Sequence, residues 1–374
     1  MNFDITAEQQ LVKDSVARFI TDNYDLEARV AASAATPGYS EDHWQTFAEL
    51  GWLGLPFAEA DGGFGGDAID TMLIFEEFGK GLVLEPYMAS VVLGGGVLRR
   101  AGSDAQKETF IAPMVAGELK LAVAYSELQS RFDLHDVTTA ARADGSDYVL
   151  NGAKSMVLNA ATADHLIVSA RTSGGQMDKD GISLFLVPRE ADGVDCKGFP
   201  TVDGLRAAEI EFKDVRVAAS QMVGAKGTGL ATLTGAINDG ILAIAAEAVG
   251  AMEVLYKDTV EYTQEREQFD HPMSDFQVVQ HRLVEMFMEY ETCKSLLYRA
   301  TLESAQDAPT AQRTIHALKH MVGKAGIFVG ENAVQLHGGM GMTEELRIAH
   351  YFKRLLVIDA QFGNSDHHLE LFAA

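Results

Sequence analysis

Cysteine is scarce in this chain of 374 residues, with only Cys196 and Cys293 present. Neither belongs to a metal-like pair or a disulfide framework, which fits a reducing, cytoplasmic setting. Positive charge is also in short supply. Thirty Lys and Arg stand against 54 Asp and Glu, and the formal charge of −24 leaves no basic footprint for a nucleic-acid partner. That balance does not bar an anionic small ligand, because a local cationic pocket outweighs distant net charge. The opening Met1-Asn-Phe-Asp-Ile-Thr-Ala-Glu8 lacks the basic and apolar regions of a signal peptide. No uninterrupted apolar run reaches spanning length, so no membrane partner is expected.

Phosphate-loop spacing is missing as well. Asp61-Gly-Gly-Phe-Gly-Gly66 lacks the strand, glycine and helix order of a dinucleotide fingerprint and reads as a flexible turn; Gly94-Gly-Gly96 is no stronger. Gly224-Ala-Lys-Gly-Thr-Gly229 does not end in the required Gly-Lys-Ser/Thr. His337, His350, His367 and His368 have no mixed ligand spacing, so no metal site is expected, and His367-His368 reads as a solvated tail. No Ser-His-Asp spacing points to hydrolysis.

The composition, 47% hydrophobic and 22% charged, is that of a globular chain, and its length suggests two or three structural units. Residues 1–118 read as helical. Thr6-Ala-Glu-Gln9 and Ser103-Asp-Ala-Gln106 fit capping boxes, Val12, Val16, Phe19 and Ile20 share a face, and Gly51 stops a helix carrying Trp44 and Phe47. Residues 119–223 change to strand-like runs at Tyr148-Val-Leu150, His165–Ser169, Ile182–Val187 and Glu209–Phe212, with a turn at Asp144-Gly145. This pattern predicts a small antiparallel barrel or sandwich, without the βαβ repetition of a nicotinamide-binding domain. Residues 224–374 return to helices. The class is α+β, in the order helical, β, helical.

Two helices flank an arm, Arg266-Glu-Gln-Phe-Asp-His-Pro-Met-Ser-Asp-Phe-Gln277. One runs from about Ile241 to Thr263, and the other buries Val279, Leu283, Met286, Phe287, Tyr290 and Leu297 at helical spacing. Pro272 keeps the arm out of both. Arg266, Phe269 and Gln277 suit a cationic, aromatic and amide grip on a flat, phosphate-bearing ligand. An ordinary interhelical loop fits the same spacing.

Arg-x-x-Phe at 266–269, Pro272, Phe276-Gln277 and Gln280, followed by Gln335-Leu-His-Gly-Gly-Met-Gly341, resembles the carboxy-terminal signatures of the acyl-CoA dehydrogenase family. The likeness covers nearly the whole chain. It implies an amino-terminal helical domain, a central antiparallel β domain and a carboxy-terminal helical bundle. It also implies FAD-dependent α,β-dehydrogenation of an acyl-CoA, with electrons passed to an electron-transfer flavoprotein. Ser130-Arg131, Ala246-Glu-Ala-Val-Gly-Ala-Met252 and Gln335–Thr343 further resemble the small subunits of bacterial two-component enzymes of the pimeloyl-CoA type. A homo-oligomer or a larger partner subunit is therefore expected, with a non-catalytic FAD-binding or scaffolding subunit as the alternative.

By resemblance, Ser126 in Ala124-Tyr-Ser-Glu127 is the flavin-ring residue, although Leu128–Asp133 departs from the family's glycine-rich continuation. Met156 and Leu158 occupy places where most members carry an aromatic residue and a threonine. A thioether packs against a ring; leucine offers no hydrogen bond. Arg266 and Phe269 fall at the pyrophosphate and adenine end, and Gln277, Gln335, Gly338 and Gly339 match further cofactor contacts, although the glycine pair could equally end a helix. The family's catalytic glutamate, set before a Gly-Thr pair, corresponds here to Phe362-Gly363-Asn364, where the likeness makes Asn364 a further cofactor-binding residue. Phe362 cannot abstract a proton, although a backbone N–H there can bond the thioester oxygen. A minority of members carry the base on the helix before the arm. Asp239 is the nearest carboxylate to that place and has a helix-starting role as its rival reading; Glu247, farther along, reads as structural.

Overall fold

The computed structural model of the chain describes residues 5–374; the first four residues of the amino-terminal stretch discussed above lie outside them. Two compact units form. One gathers the described residues of Met1–Ala31 with Asp67–Val83 and Ile241–Ala374; the other comprises Ala32–Gly66 and Leu84–Gly240. The order of the chain is helical, then β, then helical.

The early helices are α1 (Ala7–Asn23), α2 (Leu26–Ala34), α3 (Glu41–Glu49), α4 (Ala68–Gly81), α5 (Gly96–Ala101) and α6 (Asp104–Val115). Both capping boxes form: Thr6 and Gln9 exchange bonds of 3.0 and 3.1 Å, and Ser103 and Gln106 bonds of 3.0 and 3.2 Å. Gly51, at φ 78°, follows the end of α3. Gly94 and Gly95 lie inside a buried π-helical stretch, where a Cβ would meet Leu121 at 2.6 Å and Phe57 at 2.4 Å. That glycine run is a packing device.

The strands are β1 (Leu121–Ala124), β2 (Ala140–Asp144), β3 (Asp147–Leu158), β4 (His165–Arg171), β5 (Ile182–Pro188), β6 (Val194–Pro200), β7 (Arg206–Val217) and β8 (Met222–Val223). They form one sheet in the order β6-β7-β3-β2-β4-β5-β8. Antiparallel pairs predominate, and the Asp144-Gly145 turn closes the β2–β3 hairpin as its sequence predicts. The sheet is nonetheless mixed, because β1 lies parallel to β4. Parallel pairing needs a long crossover, and the β2–β3 hairpin intervenes to supply it. Leu150, Val157, Leu166, Val168, Phe185, Ile210 and Phe212 fill the core of this unit.

Later helices are α7 (Gly229–Glu265), α8 (Gln277–Ala305), α9 (Ala311–His337), α10 (Arg347–Ala360) and α11 (Ser365–Ala373), with a hairpin of β9 (Glu267–Gln268) and β10 (His271–Pro272) between α7 and α8. Helix α7 is longer than its apolar pattern predicts. It is long and apolar enough by composition to cross a membrane, yet 61% of its most apolar window is buried within the protein. Glycines let α4 and α7 meet backbone to backbone: a Cβ on Gly79 would fall 2.0 Å from the Glu247 carbonyl oxygen, and one on Gly250 2.0 Å from that of Glu76. On α8 the buried stripe is Val279, Met286, Tyr290, Cys293 and Leu297. Phe287, expected on that stripe, is exposed, at its edge, with its ring centroid 5.4 Å from that of Tyr256.

Candidate active site

The turn that leads out of β1 carries Ser126, and a β-bulge in β3 carries Met156. The β3–β7 register shifts between Lys154 and Val157, and Met156 adopts φ 53°. A bulge re-aims a side chain that regular pleating would place in the sheet. Met156 is accordingly 51% exposed, whereas Leu158, back in register opposite Ala207, is half-buried. The Ser126 carbonyl accepts the Ser155 N–H at 2.9 Å, tying turn to bulge, while the Ser126 hydroxyl has no partner among the described residues.

Two buried charges, unremarked in the sequence reading, fasten these segments together. Lys154 Nζ donates to Glu127 Oε1 at 2.8 Å, to the Ser169 hydroxyl at 2.9 Å and to the Tyr125 carbonyl at 3.2 Å, which uses all three ammonium protons. Glu127 also accepts the N–H groups of Thr138 and Thr139 at 2.8 and 3.0 Å, the Thr138 hydroxyl, and the Gln129 amide at 2.8 Å. Burial alone would push the Glu127 carboxyl up; Lys154 and these donors hold it down at about 2. Burial pushes Lys154 down to about 8, with Glu127 opposing. Lys154 lies inside β3 and Glu127 in the turn after β1, both buried, where charge without a partner is costly.

The arm keeps both of its readings visible. Phe269 and Asp270, at φ 54° and 61°, form the two-residue turn between β9 and β10. Asn and Gly suit such positions, and a phenylalanine there is a backbone outlier of the kind that collects at functional sites. Phe269 is 87% exposed. Arg266 is exposed too, and its guanidinium has no hydrogen bond or ion pair among the described residues. Gln277 begins α8 and Gln335 sits in the last turn of α9, both exposed. Gly338 ends α9 at φ 62° and ψ −143°, a conformation essentially confined to glycine, and a Cβ on Gly338 or Gly339 would meet nothing within 4 Å. Packing within this chain does not account for that open space.

The Phe362-Gly363-Asn364 turn joins α10 to α11, with Phe362 at φ 61° and Gly363 at φ 107°. The Asn364 side chain caps α11 by accepting the His367 N–H at 3.0 Å. Beneath the turn, the fully buried Lys319 of α9 donates to the carbonyls of Asp359 at 2.8 Å and Gly363 at 2.6 Å. Burial pushes Lys319 down to about 8, with Asp359 opposing. His368 is 2% exposed, which overturns its reading as a solvated tail: α11 turns it inward, where Nε2 lies 3.0 Å from the Phe362 carbonyl. A carbonyl only accepts, so Nε2 carries the proton and Nδ1 accepts from His316 Nδ1 at 2.9 Å. Lys319 was also legible in principle, as a charge within the apolar spacing of Ile315, Leu318, Val322 and Val329.

Asp239 is held by two arginines of α5: its Oδ2 accepts from Arg99 at 2.9 Å and Arg100 at 2.7 Å, and its Oδ1 from Arg100 at 2.8 Å. Taking a proton from a substrate would require breaking this clamp. Instead of starting a helix, as its rival reading had it, Asp239 lies within α7. Glu247 receives a forked pair from Arg354 at 2.6 and 2.7 Å, in keeping with a structural role. Among the described residues, no group of three or more His, Cys, Asp or Glu could hold a metal ion.

The arm offers an unpaired guanidinium at Arg266 and an exposed aromatic at Phe269, groups that suit a phosphate-bearing, flat ligand. The β unit offers a free hydroxyl at Ser126 and a polarizable side chain at Met156, groups that suit a ring. Three family models match the chain, for the acyl-CoA dehydrogenase N-terminal domain over residues 6–118, the middle domain over 122–215 and the C-terminal domain over 227–374. A probable acyl-CoA dehydrogenase of Bacillus subtilis, YngJ, is 30% identical and aligns with 98% of this chain and 97% of its own. The solved butyryl-CoA dehydrogenase of Megasphaera elsdenii superposes with a TM-score of 0.91 at 27% identity, covering 100% of this chain and 99% of that one. A solved FAD complex of PigA does so at 0.92 and 27%, covering 100% and 98%. The chain belongs to the acyl-CoA dehydrogenase family.

Proposed function

We propose that the chain takes part in FAD-dependent α,β-dehydrogenation of an acyl-CoA thioester, within an oligomer whose partner subunit supplies the catalytic base. The observation that carries this reading is the pairing of whole-chain family membership with Phe362 at the glutamate place. Bound FAD would accept the hydride that leaves the substrate β carbon. Ser126 and Met156 would hold the ring end of the cofactor, with Leu158 packing behind it. Arg266 would pair with the pyrophosphate, Phe269 would pack on the adenine side, and Gln277, Gln335, Gly338 and Gly339 would complete the contacts. The unpaired state of Arg266 supports an arm that serves a neighbouring protomer's cofactor.

The α proton needs a carboxylate that is free to take it. Phe362 offers none, Asp239 is clamped by Arg99 and Arg100, and Glu247 is engaged by Arg354. The role of this chain in the proton step is instead to present backbone N–H donors at the 362–364 turn to the thioester oxygen, where negative charge develops. Exposed Val278, Val284, Phe287 and Met288 on α8 are an apolar surface suited to subunit contact. Electrons would leave to an electron-transfer flavoprotein.

Anaerobic flavin bleaching tests the reading. A series of acyl-CoA esters added to the flavin-loaded chain, alone and with a co-purified larger homologue, should bleach the flavin only with the partner. Bleaching by the isolated chain would place the base within it. No bleaching in either case, with FAD retained, would favour the second reading that Phe362 itself suggests, a non-catalytic FAD-binding or scaffolding subunit.

A further inference from the structure

Helix α11 holds its place without a buried apolar side chain. Its nine residues bury in full only Ser365 and His368, while Leu369 and Leu371 are exposed. A helix so short does not persist by its own backbone bonds, so its docking on α9 decides whether it forms. The docking contacts are polar. His368 Nδ1 lies 2.9 Å from His316 Nδ1 of α9, and His320 Nδ1 lies 2.9 Å from the Ser365 carbonyl oxygen. Arg313 sets its guanidinium 4.5 Å from the centre of the Phe372 ring. Because His368 Nε2 donates to the Phe362 carbonyl at 3.0 Å, its Nδ1 accepts from His316, whose Nε2 is left as an acceptor 3.0 Å from the Gln312 amide nitrogen. Each ring nitrogen of the pair is thus matched when both imidazoles are neutral. A proton added to His368 goes to Nδ1, where the His316 N–H already points.

We propose that the His316–His368 contact is a pH-sensitive clasp, which holds α11 on α9 while both rings are neutral and releases it when they take up protons in mildly acidic surroundings. The inference goes beyond the functional reading above and stands without it. The charged groups around the pair do not favour a proton there. Lys319 of α9, bonded to the carbonyls of Asp359 and Gly363, and His367 of α11, its ring centroid 5.4 Å from that of His368, are the nearest cationic or titratable neighbours, with His320 and Arg313 also on α9. The carboxylates are engaged elsewhere: Asp359 of α10 accepts the Ser365 N–H at 3.0 Å, and Asp366 and Glu370 of α11 are exposed. Burial above all, with Lys319, His316 and His367 adding, holds His368 down at about 3, against the pull of the Phe362 carbonyl; burial and then His367 lower His316 too. A ring depressed from an ordinary 6.5 gives its full contribution above pH 6.5 and loses it as pH falls towards 3. Below 6.5 each unit of pH is a factor of about ten per ring, so His368 alone lowers the docked-to-free ratio about thirtyfold between pH 7.5 and 5.0.

Hydrogen exchange on the full chain in its native assembly reads the clasp directly. Expressed as protection factors, which remove the intrinsic pH dependence of exchange, the α11 amides from His368 to Ala373 should lose about thirtyfold or more between pH 7.5 and 5.0, while those of α9 from Val322 to Val329 change by less than about threefold. His368→Gln replaces the ring by an amide that can donate to the Phe362 carbonyl and accept from His316 without titrating. It should keep α11 protected at pH 7.5 and cut the loss to less than about fivefold. If that variant does not dock α11 at pH 7.5, His368→Leu, which offers an apolar anchor in its place, is judged on the same criterion. Equal protection of wild-type α11 at the two pH values overturns the clasp. So does an undiminished loss in a docked His368 variant, or a loss that spreads evenly over α9 and α10.

Discussion

Lys154→Met is the most searching perturbation of the β unit. It removes three hydrogen bonds, to Tyr125, Glu127 and Ser169, and leaves the Glu127 carboxylate buried with only the donors of Thr138, Thr139 and Gln129. Breaking a buried pair by deleting one partner costs about 3–5 kcal/mol. Four remaining donors place Glu127 near the lower end, so we expect about 3 kcal/mol. Glu127→Gln should cost a comparable amount, because it strands the ammonium. The double variant should cost less than the sum, with a coupling of about 2 kcal/mol. Hydrogen exchange at the Thr138, Thr139 and Ser155 amides reads the local opening energy directly, and FAD occupancy should fall in parallel because the same pair fastens Ser126 to the Met156 bulge. Costs below about 1 kcal/mol in both single variants, or strict additivity in the double, would refute the fastening role.

Three further outcomes follow from the site. Glu127, at 4.5 when free and about 2 when folded, contributes stability that is complete above pH 4.5 and lost as pH falls towards 2. Acid unfolding should show about 3 kcal/mol of this dependence, shifted to higher pH in Lys154→Met. Asp239→Asn should cost on the order of 1 kcal/mol, from a partly exposed clamp, and leave flavin reduction in the reconstituted complex within about threefold; a loss of about a hundredfold in rapid mixing would restore Asp239 as the base. Arg266→Ala should lower FAD retention with a stability change within about 0.5 kcal/mol, and unchanged flavin occupancy at matched oligomeric state would count against its pyrophosphate role.

What the sequence determined by itself was local and periodic. Capping boxes at Thr6 and Ser103, the Asp144-Gly145 hairpin, the strand-like runs and the arm between α7 and α8 depend on residues a few positions apart, within reach of one turn of helix or one tight turn of strand. The family motifs also singled out Met156, Phe269 and Phe362, and all three prove to have left-handed backbones that no short pattern of apolar residues announces. Tertiary structure alone decided which charges met. Lys154 finds Glu127 across 27 positions, Lys319 finds the Gly363 carbonyl across 44, and Arg100 finds Asp239 across 139. A buried charge must be neutralised by whatever the fold brings beside it, so its partner is fixed by strand register and helix packing rather than by spacing in the chain. For the same reason the sequence offered Asp239 as a candidate base without showing that Arg99 and Arg100 would bond it, and it read His368 as part of a solvated tail where the fold buries it.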